Sequence, residues 1–376
     1  MTGPLEGLRV LEIASLAPGP FACTVLSDLG AQVLRIDRAT DAASVTPGHL
    51  TRGRRSVAID LKHPDGVGTI LRLVESADVL VEGFRPGVCE RLGIGPQECL
   101  ARNPRLVYAR MTGYGQDGPL AQRAGHDINY LALSGALEPL GPADGPPLPP
   151  LNYVADFGGG GMLLVVGVLS ALWERERSGA GQVVDASMVE GAALITTLLH
   201  DLRAQGLWNK RRGSNLFDGS APFYCTYACA DGRFVAVGAL EPQFWTELLT
   251  GLGLADKELP DQLDPANWPQ LKELLADIFR TRTRQEWAEL FADSDACVTP
   301  VLSPFEAHEH PHNVARGTFT QVGEMIQPAP APRFSRTPGA VASPPPLPGE
   351  HTDAALADWG LSDREIAALR EVRAIR

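Results

Sequence analysis

The first 110 residues alternate between short apolar runs and stretches that mix apolar and polar positions. Short runs rich in β-branched residues are typical of strands, and the mixed stretches between them favour helices. Because strands that alternate with helices form parallel sheets covered on both faces, we predict an α/β fold here. The predicted strands are Leu8–Ile13, Gln32–Ile36, Val57–Leu61, Asp78–Glu82 and Leu106–Arg110, and the predicted helices are Phe21–Leu29 and Asp65–Ser76.

The pattern changes after residue 140, where a loop rich in proline and glycine precedes longer elements. Residues 221–240 alternate around an Asp-Gly turn and predict a β-hairpin, which helices follow to about residue 293. Eight prolines in residues 327–349 predict an extended segment. Two helices end the chain, and Ser362 and Glu365 form a capping box that opens the second. The other predicted elements are the helix Phe157–Arg177, the strand Gly181–Asp185 and the helix Ala186–Gln205.

These two patterns predict two domains of different class. A chain of 376 residues is long enough for two domains that each bury a core without disulfide or metal staples. We predict a Rossmann-like large domain with a parallel sheet and a smaller α+β domain. The predicted boundaries are residues 1–205 for the large domain, 206–220 for a linker, 221–325 for the small domain, and 326–376 for a proline-rich segment and C-terminal helices that return to the large domain.

The charge distribution favours a local anion site in the N-terminal third. The net charge of −12 makes the chain a poor candidate for coating nucleic acid or an anionic membrane. Residues 1–123 nevertheless carry 14 basic and 13 acidic residues, against 19 and 32 in residues 124–376. The alternative is a chance imbalance on a solvated surface. The candidate phosphate ligands are Arg38, Arg52, Arg54, Arg55, Lys62, Arg85 and Arg91.

No segment of the sequence predicts export or a membrane span. The N-terminal residues lack a basic region followed by an apolar stretch. The longest uncharged run, Phe157–Trp173, is shorter than the roughly 20 apolar residues that cross a bilayer. The six cysteines are scattered, as is typical of reduced cysteines in a reducing compartment. We therefore expect a cytoplasmic protein.

Three short motifs match cofactor or metal sites but lack the context that such sites require. Gly113–Gly118 fits a dinucleotide-binding pattern, yet Pro119 follows at once and no helix opens there to receive a pyrophosphate. Cys225 and Cys229 form one isolated pair, and alternating histidines at residues 308–312 lie in a loop that contains proline. We therefore predict no nicotinamide, flavin or metal cofactor.

Three titratable residues are candidates for catalysis. His126 precedes an apolar helix, Asp156 lies at the start of a glycine-rich helix, and Glu241 lies between a strand and a helix. Apolar neighbours would desolvate Asp156 and raise its pKa, which suits an acid, a base or a nucleophile. Each residue also has a simpler explanation, which is a structural hydrogen bond for His126 and helix capping for Asp156 and Glu241.

Six stretches spread along the chain form a series: Gly7–Glu12, Asp28–Asp37, Arg54–Lys62, Gly113–Pro119, Gly181–Asp185 and Gly349–Leu361. In this order they resemble the family III coenzyme A transferases over essentially the whole sequence. The resemblance implies a large and a small domain in each subunit and an interlocked homodimer. It also implies that coenzyme A lies along the large domain. The active site would then lie between the large domain of one subunit and the small domain of the other.

The stretches around His126, Asp156 and Glu241 resemble the racemases of this family. This implies an isomerase that interconverts the two enantiomers of 2-methylacyl-CoA thioesters in fatty acid and lipid metabolism. His126 and Asp156 would exchange the α-proton on opposite faces of an enolate, and Glu241 would orient the imidazole of His126. No cofactor is implied beyond the coenzyme A of the substrate. The residues that the resemblance assigns to coenzyme A are Arg38, Ile59, Asp60, Leu61, Lys62, Gly83, Phe84, Arg85, Arg91, Gly125, His126, Asp127, Ile128, Asn129 and Tyr130.

Two other functions fit the same sequence. A family III coenzyme A transferase would use Asp156 as a nucleophile and would need no second proton relay at His126. A non-catalytic protein that binds acyl-CoA esters would need none of the three candidates. The presence of all three favours the racemase, with a sterol side chain, a branched fatty acid or an aryl-propionyl group as the candidate acyl groups.

Overall fold

The computed structural model describes residues 3–39 and 48–376. Over these residues the strands are β1 Arg9–Ile13, β2 Gln32–Arg38, β3 Arg55–Ile59, β4 Val79–Glu82, β5 Val107–Thr112, β6 Val183–Ser187, β7 Cys225–Ala228, β8 Phe234–Val237, β9 Val298–Pro300, β10 Phe319–Val322 and β11 Met325–Pro328. The α-helices are α1 Pro18–Asp28, α2 Pro64–Val74, α3 Val88–Leu92, α4 Pro96–Arg102, α5 Asp127–Ser134, α6 Leu163–Ser178, α7 Met188–Ile195, α8 Thr197–Ala204, α9 Pro242–Gly251, α10 Trp268–Phe279, α11 Arg284–Leu290, α12 Pro311–Arg316, α13 Thr352–Asp358 and α14 Asp363–Glu371. A π-helix at Tyr153–Met162 leads directly into α6.

The chain divides into two compact units. The larger unit comprises Met1–Ser134, Pro150–Ile195 and Val314–Arg376, and the smaller unit comprises Gly135–Pro149 and Thr196–Asn313. Each unit has its own hydrophobic core, built on a sheet and the helices packed against it.

The unit boundaries differ from the predicted domain boundaries. Residues 135–149 and 196–205 belong to the smaller unit, which ends at Asn313 rather than at residue 325. Arg212 ties the first of these segments to the smaller unit, because its guanidinium donates hydrogen bonds to the carbonyl oxygens of Glu138, Pro142 and Gly145. Such contacts join residues that are about 70 positions apart, and a local sequence pattern does not reveal them.

A six-stranded parallel sheet lies at the centre of the larger unit, in the order β3-β2-β1-β4-β5-β6. The central strand β1 pairs with β2 and β4, which places Leu11 opposite Leu34 and Leu80. β4 and β5 are buried along their whole length, as expected for a parallel sheet that is covered on both faces. The predicted α/β fold is confirmed, and each strand of this sheet overlaps a predicted strand.

The strand order changes direction between β1 and β4, and open α/β sheets bind ligands in the crevice at such a point. The chain leaves β1 at Ala14 and Ser15, and it leaves β4 at Gly83. A Cβ at Gly83 would lie only 2.8 Å from Oγ of Ser15, so glycine lets the two loops approach each other. The fold therefore opens a crevice at the carboxyl ends of these strands.

Arg52 and Arg54 of the basic loop point into the larger unit. Arg54 is 1 % exposed and donates through Nε to one carboxylate oxygen of Glu12 at 2.5 Å, while Arg35 donates to the other oxygen. Arg52 donates twice to Asp28. The prediction that Arg52 and Arg54 collect phosphates is wrong, and neither arginine lies on a solvated surface. Both charges are neutralised by buried carboxylates, and breaking such a pair typically costs about 3–5 kcal/mol.

The helix predicted from Phe157 begins four residues earlier. The π-helix starts at Tyr153 and continues into α6, so Asp156 lies inside its first turn rather than ahead of it. The continuous helix Tyr153–Ser178 spans 26 residues, which by length and composition alone would suffice to cross a membrane. In its most apolar stretch 44 % of the residues are buried within the protein. It contacts α1, α7, β5 and β6, and it is therefore a core helix of the larger unit.

Two glycines set the position of the π-helix. A Cβ at Gly159 would lie 2.6 Å from the backbone nitrogen of Ala192, and a Cβ at Gly191 would overlap the carbonyl of Gly159. The π-helix and α7 therefore cross at a distance that no side chain permits. The predicted helix Ala186–Gln205 is divided at Thr196 into α7 and α8, which belong to different units.

The sheet of the smaller unit is antiparallel, in the order β7-β8-β9. β7 and β8 form the predicted hairpin, while β9 has only three residues and gave no recognisable pattern. Trp245, Trp268 and Trp287, which come from α9, α10 and α11, are buried in the core. The indole N–H groups of Trp268 and Trp287 each donate to a backbone carbonyl, as buried indoles require.

The C-terminal segment packs against the edge strand β3. The N–H of Gly349 donates to Oγ of Ser56, and the hydroxyl of Thr352 accepts a hydrogen bond from the N–H of Ala58. The predicted capping box between Ser362 and Glu365 is present at the start of α14. The predicted extended segment 327–349 begins at the end of β11 and contains no further helix or strand.

Candidate active site

A cleft of about 900 Å³ opens at the carboxyl ends of β1, β2, β4 and β5. This is the point at which the strand order changes direction, and every residue that lines the cleft belongs to the larger unit. Both His126 and Asp156 line it, although they are 30 residues apart in the sequence. The predicted site residues that line the cleft are Arg38, Gly83, Phe84, Arg85, Gly125, His126, Tyr130 and Asp156.

The other residues assigned to coenzyme A lie outside this lining. Ile59 is 1 % exposed and is part of the hydrophobic core, and the residues that follow it extend from the edge strand β3. Asp127 is 5 % exposed and is turned into the protein. The predicted contacts that do not line the cleft are Ile59, Asp60, Leu61, Lys62, Arg91, Asp127, Ile128 and Asn129.

The cleft also contains residues that the sequence analysis missed. Ser15 and Tyr114 follow β1 and β5 closely, and the rule that ligands bind at the carboxyl ends of parallel strands would have indicated both. Arg123 lies in the loop before α5, where no pattern distinguishes it from a solvated arginine. Arg38, Arg85 and Arg123 together give the cleft a positive lining.

His126 is an exposed residue immediately before α5, and both its backbone N–H and its backbone carbonyl form hydrogen bonds. Its N–H donates to the side-chain oxygen of Asn129 at 3.0 Å, and its carbonyl accepts from the N–H groups of Asn129 and Tyr130. The hydroxyl of Tyr130 donates to the carbonyl of Gly125. These bonds fix the backbone from which the imidazole projects.

Asp156 is half-buried in the first turn of the π-helix. Burial raises the pKa of its carboxyl, and the negative charge of Asp127 raises this pKa further. A hydrogen bond from the amide of Asn152 and the nearby His126 oppose this rise. A carboxyl with a raised pKa can act both as an acid and as a base, as a reversible proton transfer requires. Its side chain does not cap a helix, so that explanation is wrong.

Two glycines let the loops of the site pack against aromatic rings. A Cβ at Gly113 would lie 2.3 Å from the ring of Tyr130, and a Cβ at Gly125 would lie 2.7 Å from the hydroxyl of Tyr114. The rings of Tyr114 and Tyr130 meet edge to face at 5.0 Å. The first glycine of the motif Gly113–Gly118 thus serves the packing around His126.

Glu241 lies in the smaller unit, at the residue before α9. It is exposed, and its carboxylate makes no capping hydrogen bond to the helix that follows. The simpler explanation for Glu241, helix capping, is therefore wrong. Within residues 3–39 and 48–376, no three His, Cys, Asp or Glu side chains converge to hold a metal ion.

The sequence of this chain matches CoA-transferase family III over residues 5–352. The chain belongs to this family. It is 50 % identical to the alpha-methylacyl-CoA racemase of Mus musculus over 373 residues. This match covers 99 % of this chain and 97 % of the mouse protein. It is 47 % identical to the alpha-methylacyl-CoA racemase of Homo sapiens, and the match again covers 99 % of this chain and 97 % of the human protein. Among solved structures, a CAIB/BAIF family protein from Brucella suis superposes with a TM-score of 0.82, at 27 % identity, over 96 % of this chain and 100 % of that protein.

Proposed function

We propose that this chain is an isomerase that interconverts the two enantiomers of 2-methylacyl-CoA thioesters. The observation that carries the proposal is the meeting of His126 and Asp156 in one cleft of the larger unit. Racemisation requires a base on one face of the α-carbon and an acid on the other, and these two side chains come from different elements. Full-length relatives at 47–50 % identity that are named as racemases support the same reaction.

In each direction one of the two residues removes the α-proton and the other returns a proton to the opposite face. The intermediate is an enolate, whose oxygen requires hydrogen-bond donors. The N–H groups of Asp127 and Ile128 open α5 next to His126 and have no acceptor within the helix, whereas those of Asn129 and Tyr130 donate to the carbonyl of His126. The positive end of the helix dipole favours an anion there. We propose that these N–H groups stabilise the enolate oxygen.

Coenzyme A would occupy the remainder of the cleft. Arg38, Arg85 and Arg123 supply positive charge for its phosphates, and the volume of about 900 Å³ is sufficient for a large ligand. No step of this proposal needs a cofactor other than the coenzyme A of the substrate. The acyl group would be a branched fatty acid, a sterol side chain or an aryl-propionyl group, in fatty acid and lipid metabolism.

Three further features belong to the proposal. The active enzyme is an interlocked homodimer in which Glu241 of one subunit orients the imidazole of His126 in the other, because a carboxylate beside a catalytic imidazole selects its tautomer.

The protein is cytoplasmic, which agrees with six free cysteines. Residues 59–62 and Arg91 remain predicted contacts of coenzyme A.

Replacing Arg85 by alanine is expected to weaken the binding of free coenzyme A by about 10-fold, because a charge-assisted hydrogen bond to phosphate would be lost. Titration calorimetry would measure the dissociation constant. Arg177→Ala is the matched control, since Arg177 is an exposed arginine that lies outside both the cleft and the predicted contacts, and Arg91→Ala tests the predicted contact outside the cleft. If Arg91→Ala lost as much affinity for coenzyme A as Arg85→Ala, the binding site would extend to Arg91. Unchanged affinity in Arg85→Ala would contradict the proposed site.

The wild-type protein tests the function itself. Each enantiomer of a 2-methylacyl-CoA, incubated with the protein in deuterated water, should take up deuterium at the α-carbon and convert to the other enantiomer. Parallel incubations with hydroxylamine test the alternative, because a coenzyme A transferase would form an acyl anhydride on Asp156. If a hydroxamate formed at Asp156 without any uptake of deuterium, the racemase proposal would be wrong and the transferase would be the better assignment.

A further inference from the structure

We propose that the carboxylate of Asp127 is a positioning residue that fixes the backbone of Asp156 relative to His126. The inference rests on the proposed function, because it concerns the geometry of the same proton transfer. It also changes the role of Asp127 from the contact with coenzyme A that the resemblance implied.

The evidence is a pair of hydrogen bonds across two elements. Oδ2 of Asp127 accepts the backbone N–H of Ala155 and that of Asp156, both at 2.8 Å. These two N–H groups belong to the first turn of the π-helix and have no acceptor within it. One carboxylate oxygen thus joins the residue next to His126 with the residue that carries the second catalytic side chain.

The position of the Asp127 side chain argues against a direct contact between its carboxylate and the substrate. Its side chain does not line the cleft, and the residue is only 5 % exposed. The second oxygen, Oδ1, is buried without a hydrogen-bond partner among the residues that the structure describes. A buried carboxylate with an unsatisfied oxygen is costly, so it needs a compensating role in the fold. The two bonds to the π-helix supply that role.

The two hydrogen bonds that Asp127 accepts from Ala155 and Asp156 form a clamp between α5 and the π-helix. This clamp affects both the distance between the catalytic groups and the charge beside Asp156. It links α5 to the π-helix through a single short side chain, and a displacement of about 1 Å between catalytic groups can cost about 100-fold in rate. The titratable groups that face Asp156 are His126, Asp127 and Tyr130. Among them, Asp127 is the carboxylate that raises the pKa of Asp156.

Asp127→Ala and Asp127→Asn separate the two effects. Alanine removes the clamp, and we expect the turnover rate in both directions to fall by about 100-fold, with the dissociation constant of coenzyme A changed less than about 2-fold. Asparagine keeps an oxygen that accepts the same N–H groups but removes the charge. Much of the rate should therefore return. In the direction in which Asp156 is the base, the acid limb of the pH–rate profile should move to lower pH.

The control is Asp185→Asn, because Asp185 is an exposed aspartate of the larger unit that also accepts a backbone N–H and lies outside the cleft. Its rate and its acid limb should not change. Weakened binding of coenzyme A with an unchanged turnover rate in Asp127→Ala would restore the role as a ligand contact and overturn the inference. If Asp127→Ala does not fold, weaker binding of coenzyme A by Asp127→Asn at an unchanged turnover rate has the same consequence.

The two proposals fail in different ways. If the wild-type protein exchanges neither enantiomer but forms a hydroxamate on Asp156, the proposed function is wrong. The clamp would then be measured by the rate of that trapping. A 100-fold slower trapping in Asp127→Ala, with recovery in Asp127→Asn, would still support the clamp, and equal rates would reject it.

Discussion

Replacing either His126 or Asp156 by alanine is expected to lower the rate of racemisation by about 100- to 10,000-fold, which is the usual contribution of one general acid or base. Both residues line one cleft, and each would serve one face of the α-carbon. Chiral separation of the acyl-CoA products over time would measure the rate. The control is His312→Ala, which removes an exposed histidine outside the cleft and should leave the rate unchanged.

The two variants should also differ in the exchange that remains. His126→Ala retains Asp156, which reaches the α-proton of only one enantiomer, and Asp156→Ala retains His126 on the other face. Residual uptake of deuterium should therefore favour opposite enantiomers in the two variants, and nuclear magnetic resonance of the α-carbon would detect it. A variant that exchanges both enantiomers at the wild-type rate would show that its missing residue is not a base.

Mixing two inactive variants is expected to restore activity if the active site is shared between subunits. His126→Ala and Glu241→Ala should each lose on the order of 100-fold or more, because one lacks the imidazole and the other lacks the carboxylate that orients it. A heterodimer of the two contains one site in which both residues are intact. Random exchange of subunits should then return about a quarter of the wild-type rate, because half of the dimers have one of two sites working.

The matched control mixes His126→Ala with Asp156→Ala. These two residues lie in the same unit of one chain, so every site in the heterodimer lacks one of them and no activity should return. Recovery in the first mixture alone would support the shared site. No recovery in either mixture, with subunit exchange verified by mass spectrometry of tagged chains, would contradict the pairing of Glu241 with the partner's His126.

Local patterns predicted the elements well where burial is uniform. The central strands β1 and β4 were recognisable because a strand covered on both faces needs a nearly continuous apolar run. The capping box at Ser362 was recognisable because helix capping depends on residues three positions apart. The π-helix was not, because a local pattern cannot distinguish its start from that of an α-helix. Its position depends on the contact between Gly159 and Gly191, which are distant in the sequence.

The basic loop shows where charge in a sequence is ambiguous. Arg52 and Arg54 have the same composition around them as a phosphate-binding loop would have. Their partners Asp28 and Glu12 lie 24 and 42 positions away, and only folding brings these carboxylates next to them. A buried ion pair and a ligand site therefore cannot be separated before the tertiary contacts are known.

The α/β class and the hairpin of the smaller unit could be predicted from residue type and short-range spacing, and the resemblance to the family added the roles of His126, Asp156 and Glu241. Which of these residues lie together depends on the tertiary fold. It placed His126 and Asp156 in one cleft, excluded residues 59–62 and Arg91 from its lining, and turned Asp127 toward the π-helix. A cleft at the carboxyl ends of parallel strands is lined by the loops that follow those strands, so residues distant in the sequence meet there. Strand order therefore determines which residues line the cleft, and a local sequence pattern does not reveal strand order.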